Sequence, residues 1–271
     1  MSFYAQIYPH LQLLRDNHLL WVTLDNVEQS NAISMEMVES LTSVLRFADF
    51  DSDVRVIILT GAGPSFCAGG DIKAMEQKSG MFQGEPNELR LRYMNGIQQI
   101  PLVIESMSTP LIAMVNGPAI GAGCDLAMMC DLRVGSSKSR FGETFVKLGL
   151  VPGDGGSYFL QRVIGFSRAM QMSLTGDIIG GEEALKWGLV NYLTDEAKLK
   201  EETEKIALKI AENAPIAVQM TKKTLKTAYR NELQTVLDLA AAYQGITQRT
   251  EDHFVALSGL KEKKKAIFTG K

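Results

Sequence analysis

Two stretches rich in small residues, Gly61-Ala-Gly-Pro-Ser-Phe-Cys-Ala-Gly-Gly70 and Asn116-Gly-Pro-Ala-Ile-Gly-Ala-Gly123, each follow a short apolar run. Three acids, Asp125, Glu143 and Asp154, come after the second stretch. Small residues let a backbone approach a ligand closely and aim its N–H groups at it. The second stretch also opens a helical segment, whose N-terminus carries partial positive charge. Two such loops facing each other would make a two-donor pocket for a carbonyl oxygen that turns negative during reaction, an oxyanion hole. Each donor of that kind is worth roughly 3–4 kcal/mol in the transition state. A single general base contributes roughly 3–5 kcal/mol. Paired donors would therefore outweigh any one side chain. The same glycines also serve as tight turns in an α/β fold, and their number alone does not separate the two readings.

Other chemistries find less material. Gly61-Ala-Gly63 is followed by Phe66, and Gly121-Ala-Gly123 by Leu126, where a dinucleotide fingerprint needs a third glycine. GxxxxGK[ST] and GxSxG are both absent, which removes the P-loop and the usual hydrolase elbow. His10, His18 and His253 are the only histidines, too few for a His-rich metal site and poorly placed for a Ser-His-Asp triad. Cys67, Cys124 and Cys130 cannot all pair and lack metal-site spacing, which favours a reducing compartment and a cytoplasmic protein.

The elements that must carry these loops are legible from periodicity. Residues 11–15 and 19–24 read as a hairpin turning at Asp16-Asn17. Ser34 reads as an N-cap for an amphipathic helix with Val38, Leu41, Leu45 and Ala48 on one face. Residues 54–60 and 111–115 are apolar almost throughout, as in strands covered on both faces. A helical stretch spans 89–107, and a short strand follows at 132–134. Beyond Asp154 the pattern is helical near 155–164, 167–174, 181–187, 197–213, 215–229, 233–249 and 251–265, with one short strand at 189–193. The expected division is therefore an α/β core over 1–195 and a helical region over 196–271. The 271 residues, 45% hydrophobic and 22% charged with a net charge of −3, suit a folded protein and give nucleic acid no concentrated excess of cations. No run of about 18 apolar residues is present, so no membrane partner is expected.

Several segments carry a family resemblance. Phe66-Cys-Ala-Gly-Gly-Asp-Ile-Lys-Ala-Met75 resembles the F-x-A-G-x-D segment of the crotonase (enoyl-CoA hydratase/isomerase) superfamily. Residues 116–126 with Cys130-Asp-Leu-Arg133 resemble its second signature, and Phe141-Gly-Glu with Gly149-Leu-Val-Pro-Gly-Asp-Gly-Gly156 its third. Gln29-Ser-Asn-Ala-Ile33 and Glu262-Lys-Lys-Lys-Ala-Ile-Phe268 fall where that family has matching segments. The resemblance implies an α/β spiral of ββα units with a helical C-terminal trimerisation region. It also implies an acyl-CoA thioester as ligand, with coenzyme A as part of the substrate and no separate cofactor, and a homotrimer or a dimer of trimers.

Carried over by position, the resemblance places the oxyanion donors at the N–H groups of Ala68 and Ala122, and a catalytic acid at Asp125. The second catalytic glutamate of the hydratases falls on Phe145, which can neither orient water nor carry a proton. Glu143 and Asp154 are the candidates to replace it; apart from the resemblance they read as a surface carboxylate and a turn former. The departure leaves hydration and double-bond isomerisation of a 2- or 3-enoyl-CoA both open, alongside a non-catalytic acyl-CoA-binding homologue. Ser30, Ala32, Asp71, Ile72 and Lys73 are the expected coenzyme A contacts, with Cys67, Gly121, Phe145 and Gly153 beside the donors and acids. Lys261, Lys263, Lys264 and Lys265 are candidates for its phosphates, and residues 75–107 for the wall of the acyl pocket. Cys67 and Cys124 are expected to pack as small side chains and not to act as nucleophiles.

Overall fold

The computed structural model describes residues 3–271. Along the chain run the strands β1 (Leu11–Asp16), β2 (Leu19–Leu24), β3 (Val56–Gly61), β4 (Leu111–Val115), β5 (Pro118–Ile120), β6 (Leu132–Ser136), β7 (Arg140–Gly142), β8 (Ile178–Gly180) and β9 (Tyr192–Thr194). Six of them form a sheet in the order β1-β2-β3-β4-β6-β9, antiparallel at β1/β2 and parallel beyond. The other three form a small sheet, β5-β7-β8, beside the C-terminal end of β4. Its three-residue strands are too short to show a period in sequence, and they are absent from the expectation.

The helices are α1 (Met35–Phe50), α2 (Ile72–Glu76), α3 (Pro86–Asn95), α4 (Gln99–Ser106), α5 (Ala122–Met129), α6 (Gly156–Ile164), α7 (Phe166–Thr175) and α8 (Gly181–Trp187). After β9 come α9 (Leu199–Ala211), α10 (Pro215–Ala228), α11 (Leu233–Thr247) and α12 (Glu251–Glu262). The Ser34 hydroxyl accepts from the Met37 amide at 3.2 Å and starts α1 as its N-cap.

Alternation along β3 explains its uniformly apolar sequence. Ile57 and Leu59 face the larger core with α1, α4 and α5, whereas Val56 and Ile58 face a second core closed by Leu199, Ala207 and Ala211 of α9. The helical region thus begins as the second layer of the sheet.

Three boundaries differ from expectation for identifiable reasons. The hairpin turns at Asn17-His18, both left-handed at φ 48° and 63°, as a two-residue type I′ turn requires, while Asp16 stays paired with Leu19. The stretch 89–107 is two helices, because the backbone leaves the helical region at Gly96 (φ −107°, ψ −114°), where a Cβ would come within 2.6 Å of the Arg92 carbonyl and 3.0 Å of Met35 Sδ. The strand expected at 189–193 starts only at Tyr192: the Leu189 carbonyl accepts from Arg133 Nε at 2.6 Å, outside any ladder.

A nearly buried ion pair ties α10 to the sheet. Lys222 Nζ lies 2.6 Å from Asp131 Oδ2 and donates to the Thr109 carbonyl at 2.8 Å, and Asp131 also accepts from the Leu111 amide at the start of β4. Removing one member strands the other charge at low dielectric. Lys222→Ala is expected to cost about 3 kcal/mol in urea unfolding, and pairing it with Asp131→Asn to recover most of that loss. Additive losses in the double variant would contradict the coupling.

Candidate active site

β3 and β4 are parallel neighbours, so the two glycine-rich loops leave the sheet from the same edge. They then pack backbone on backbone. The amides of Phe66 and Cys67 both donate to the Pro118 carbonyl at 3.0 Å, and the Ile120 amide returns a bond of 3.0 Å to the Cys67 carbonyl. A Cβ at Gly123 would collide with that carbonyl, and one at Gly117 with the carbonyl of Pro64. Two asparagines brace the pair. Asn31, fully buried, donates from Nδ2 to the carbonyls of Ala62 and Ser65, both at 2.9 Å. Asn116 accepts from the Gly61 amide at 3.2 Å and donates to the Gly63 carbonyl at 3.0 Å.

The two expected donors are brought side by side but are not equivalent. A Cβ on Gly69, next to Ala68, would lie 3.3 Å from the Ala122 nitrogen. Ala122 is the first residue of α5, where an amide has no acceptor in its own helix. Among the described residues no other group accepts from it. The Ala68 amide, in contrast, donates to the Ser30 carbonyl at 3.0 Å. The expectation of two open donors is corrected to one open and one engaged, because Ser30 and Asn31, at φ 52° and 60°, turn that carbonyl onto the loop.

The three acids converge. Asp125 lies in the first turn of α5; Glu143 follows β7, which pairs with β5 just before that helix; Asp154 lies in the turn before α6. Asp125 and Glu143 are fully buried and Asp154 is 4% exposed, so neither Glu143 nor Asp154 is a surface group. Burial pushes the Asp125 carboxyl well above its ordinary range. The nearby charge of Glu143 adds to the rise. Burial likewise raises Glu143. Neither oxygen of either carboxyl has a hydrogen-bond partner among the described residues, which disfavours their charged forms. Gly156 has no alternative here, since a Cβ would strike Asp125 Oδ1. Burial, aided by the charge of Asp125, lifts Asp154 to about 7, where a carboxyl exchanges protons readily in either direction.

Phe145 is buried, its ring 3.7 Å from where a Cβ of Gly121 would stand, so it packs on the turn that presents the Ala122 amide. Cys67 is not available to a ligand: its side chain is fully buried, its N–H and C=O are both used, and burial pushes the thiol up to about 12. Cys124 is equally buried, its thiol raised by burial and by Glu143. Ala32 is 4% exposed, with its amide bonded to the Gln29 carbonyl, whereas Ser30 is exposed beside it. Asp71 caps α2 through the Ala74 amide at 3.0 Å, which leaves Ile72 and Lys73 exposed at the mouth of the loops. The Gly153 carbonyl accepts from Gln98 Nε2 at 2.9 Å. Lys264 and Lys265 pair with Glu262 and Glu212, and Lys265 lies beside Arg15, His18 and Arg55 at the opposite end of the sheet, away from this chain's own loops. Asn31 was not singled out as a site-builder, though it falls in Gln29-Ser-Asn-Ala-Ile33; Gln98 and Tyr93 fall in the stretch expected to wall the acyl pocket, without a role of their own.

Comparison with known proteins now settles the family. The profile described as Enoyl-CoA hydratase/isomerase matches residues 15–271. The chain belongs to the enoyl-CoA hydratase/isomerase (crotonase) family. It is 34% identical to the short-chain-enoyl-CoA hydratase of Clostridium acetobutylicum, across 93% of this chain and 95% of that one. It is 31% identical to the 1,2-epoxyphenylacetyl-CoA isomerase of Escherichia coli, across 93% and 95%. The enoyl-CoA hydratase structure from Bacillus anthracis superposes with a TM-score of 0.90 at 31% identity, covering 97% of this chain and all of that one. This crotonase-family enzyme therefore has the α/β crotonase fold with C-terminal helices. Among its described residues no helix is long and apolar enough to cross a membrane.

The raised Asp154 carboxyl makes a stability prediction with a definite sign. The folded chain holds a proton there that the unfolded chain has released, between pH about 4 and pH about 7. Stability from this group is complete below that window and is lost as pH rises through 7. Asp154→Asn is expected to be more stable than the parent at pH 8, by up to about 4 kcal/mol, with the advantage fading toward pH 4 in urea titrations. An advantage independent of pH would show that the carboxyl does not carry this proton.

Proposed function

We propose that this enzyme isomerises the double bond of a 3-enoyl-CoA thioester, with hydration of a 2-enoyl-CoA as a slower reaction. The thioester carbonyl lies against the Ala122 amide, joined by the Ala68 amide as the oxygen gathers charge. Asp154 takes a proton from C2, giving an enolate held at those donors, and a proton returned at C4 places the double bond in conjugation. Asp125 and Glu143, their carboxyls raised by burial, keep that side of the site from accumulating negative charge beside the enolate. The observation that carries the reading is a solvent-poor acid near pH 7 in company with a ring, Phe145, where a water-binding carboxylate would be needed for hydration. The chain's relatives include a short-chain-enoyl-CoA hydratase and a 1,2-epoxyphenylacetyl-CoA isomerase, so their acyl-CoA chemistry is not confined to hydration.

Conjugated-thioester absorbance tests this directly. Purified protein is expected to convert a 3-enoyl-CoA at least tenfold faster than it hydrates crotonyl-CoA. Asp154→Asn is expected to cost 10²–10⁴ in kcat, the usual range for one acid–base group, and kcat/KM to rise with pH to a plateau above about 7. Hydration outpacing isomerisation, or an unimpaired Asp154→Asn, would overturn the assignment.

The same reading includes a homotrimer, alone or doubled. Leu225, Tyr229, Leu233, Leu237, Phe254 and Leu260 on α10–α12 are each more than half exposed, an apolar surface a lone chain rarely keeps. Light scattering should give three or six times the chain mass, and a monomer at micromolar concentration would contradict it.

A further inference from the structure

A cavity of about 810 Å³ opens between α2, α3 and the segment after β7, walled by Ile72, Met75, Phe82, Leu89, Tyr93 and Leu150. Its position relative to the site follows from two glycines. A Cβ on Gly70 would lie 3.5 Å from Phe82 Cζ and collide with Met75 Cε, so this wall rests on the loop that presents Ala68. A Cβ on Gly153 would lie 3.2 Å from Tyr93 Cε1, so the facing wall rests on the turn that presents Asp154. One wall of the cavity therefore rests on the donor loop and the other, through Tyr93, on the turn that carries Asp154. Gln98 fixes the same turn through the Gly153 carbonyl.

The charged groups at this cavity, Glu76, Lys78 and Glu85, are all exposed side chains, while Met75, Phe82 and Tyr93 are partly buried and Ile72, Leu148 and Leu150 present apolar surface to solvent. A pocket so lined recognises an apolar group by area, not by hydrogen bonds. Its volume is several times what four carbons fill. We propose that the acyl group of the substrate is bulky and wholly apolar, a medium-length chain or an arylalkyl group, and that Tyr93 is the residue that selects it. This rests on the acyl-thioester reading above. A large acyl group packs on Tyr93 and so on the turn carrying Asp154, whereas a four-carbon group leaves that wall uncovered.

Calorimetric titration with butyryl-, octanoyl- and phenylacetyl-CoA tests the proposal without requiring turnover. Each buried methylene is worth roughly fourfold in affinity, so octanoyl- or phenylacetyl-CoA should bind at least tenfold tighter than butyryl-CoA. Octanoyl-CoA binding best would mark an aliphatic chain, and phenylacetyl-CoA an aryl group. Tyr93→Ala is expected to reduce the preference below threefold while leaving butyryl-CoA affinity within about threefold of the parent; Tyr93→Phe should retain the preference. Leu89→Ala, on the same wall, should weaken only the large esters and serves if Tyr93→Ala fails to fold. Equal affinity for all three esters, or a Tyr93→Ala loss shared equally by butyryl-CoA, would overturn the proposal. Binding of none of the esters would instead remove the acyl-thioester reading itself.

Discussion

The site depends on two loops approaching each other closer than side chains allow. Cys67 exchanges backbone hydrogen bonds with Pro118 and Ile120, and Gly123 fits only because it has no Cβ to meet the Cys67 carbonyl. Every other feature is referred to this contact. It sets the start of α5, and therefore the Ala122 amide; it places Asp125 one helical turn inside; it leaves Gly69 beside Ala122. The first loop is not regular enough to satisfy its own polar groups, so Asn31 and, from the start of the second loop, Asn116 supply the missing partners. A buried carbonyl left without such a partner costs about 1–3 kcal/mol, which makes these two side chains structural requirements of the site.

The acid cluster is the second constraint, and it opposes stability. Charging three carboxyls in a volume sealed from water is unfavourable by several kcal/mol for each ion. The chain meets this by keeping protons: burial raises both Asp125 and Glu143, and Asp154 holds its proton until about pH 7. Among the described residues no lysine or arginine charge acts on these three carboxyls. A cation there would have anchored the carboxyls as permanent anions and removed their capacity to give or receive a proton near neutrality. The destabilisation is thus tied to the chemistry, as is common at sites of proton transfer.

Much of this architecture was legible in the sequence where burial imposes a pattern. β3 and β4 read as covered on both faces because every residue is buried, and α8 was placed at its observed bounds because Gly188 ends it in a left-handed cap. What escaped detection depends on contacts remote in sequence. The β5-β7-β8 sheet has no period to see, yet its β5/β7 pairing is what carries Glu143 inward toward Asp125. Counting along the third signature led to Phe145, whereas the carboxyl that reaches the acid cluster stands two residues earlier. Tyr93 lies in the stretch expected to wall the acyl pocket, but its contact with Gly153 was hidden for the same reason: α3 contains no fully buried residue, and nothing in its polar sequence signals a ring there. The exchange of hydrogen bonds that engages Ala68 also lay beyond pattern reading, since it requires two consecutive non-glycine residues at positive φ.

That last departure alters how the donor pair should work. Ser30 offers the Ala68 amide a neutral carbonyl. A ground-state thioester oxygen offers it another, generally a weaker one, so the exchange brings little net gain. An oxygen bearing the charge of an enolate is a different acceptor, because hydrogen bonds to an ionised partner are about twice as strong as neutral ones. In the mechanism proposed above, the Ala68 amide is then won from Ser30 only as charge develops. Ala122, whose amide has no competing acceptor and sits at a positive helix end, contributes to binding from the outset. Under the proposed mechanism one donor serves recognition, and the other is reserved for the state in which stabilisation accelerates the reaction. An arrangement with both amides open would bind substrate more tightly and discriminate the transition state less.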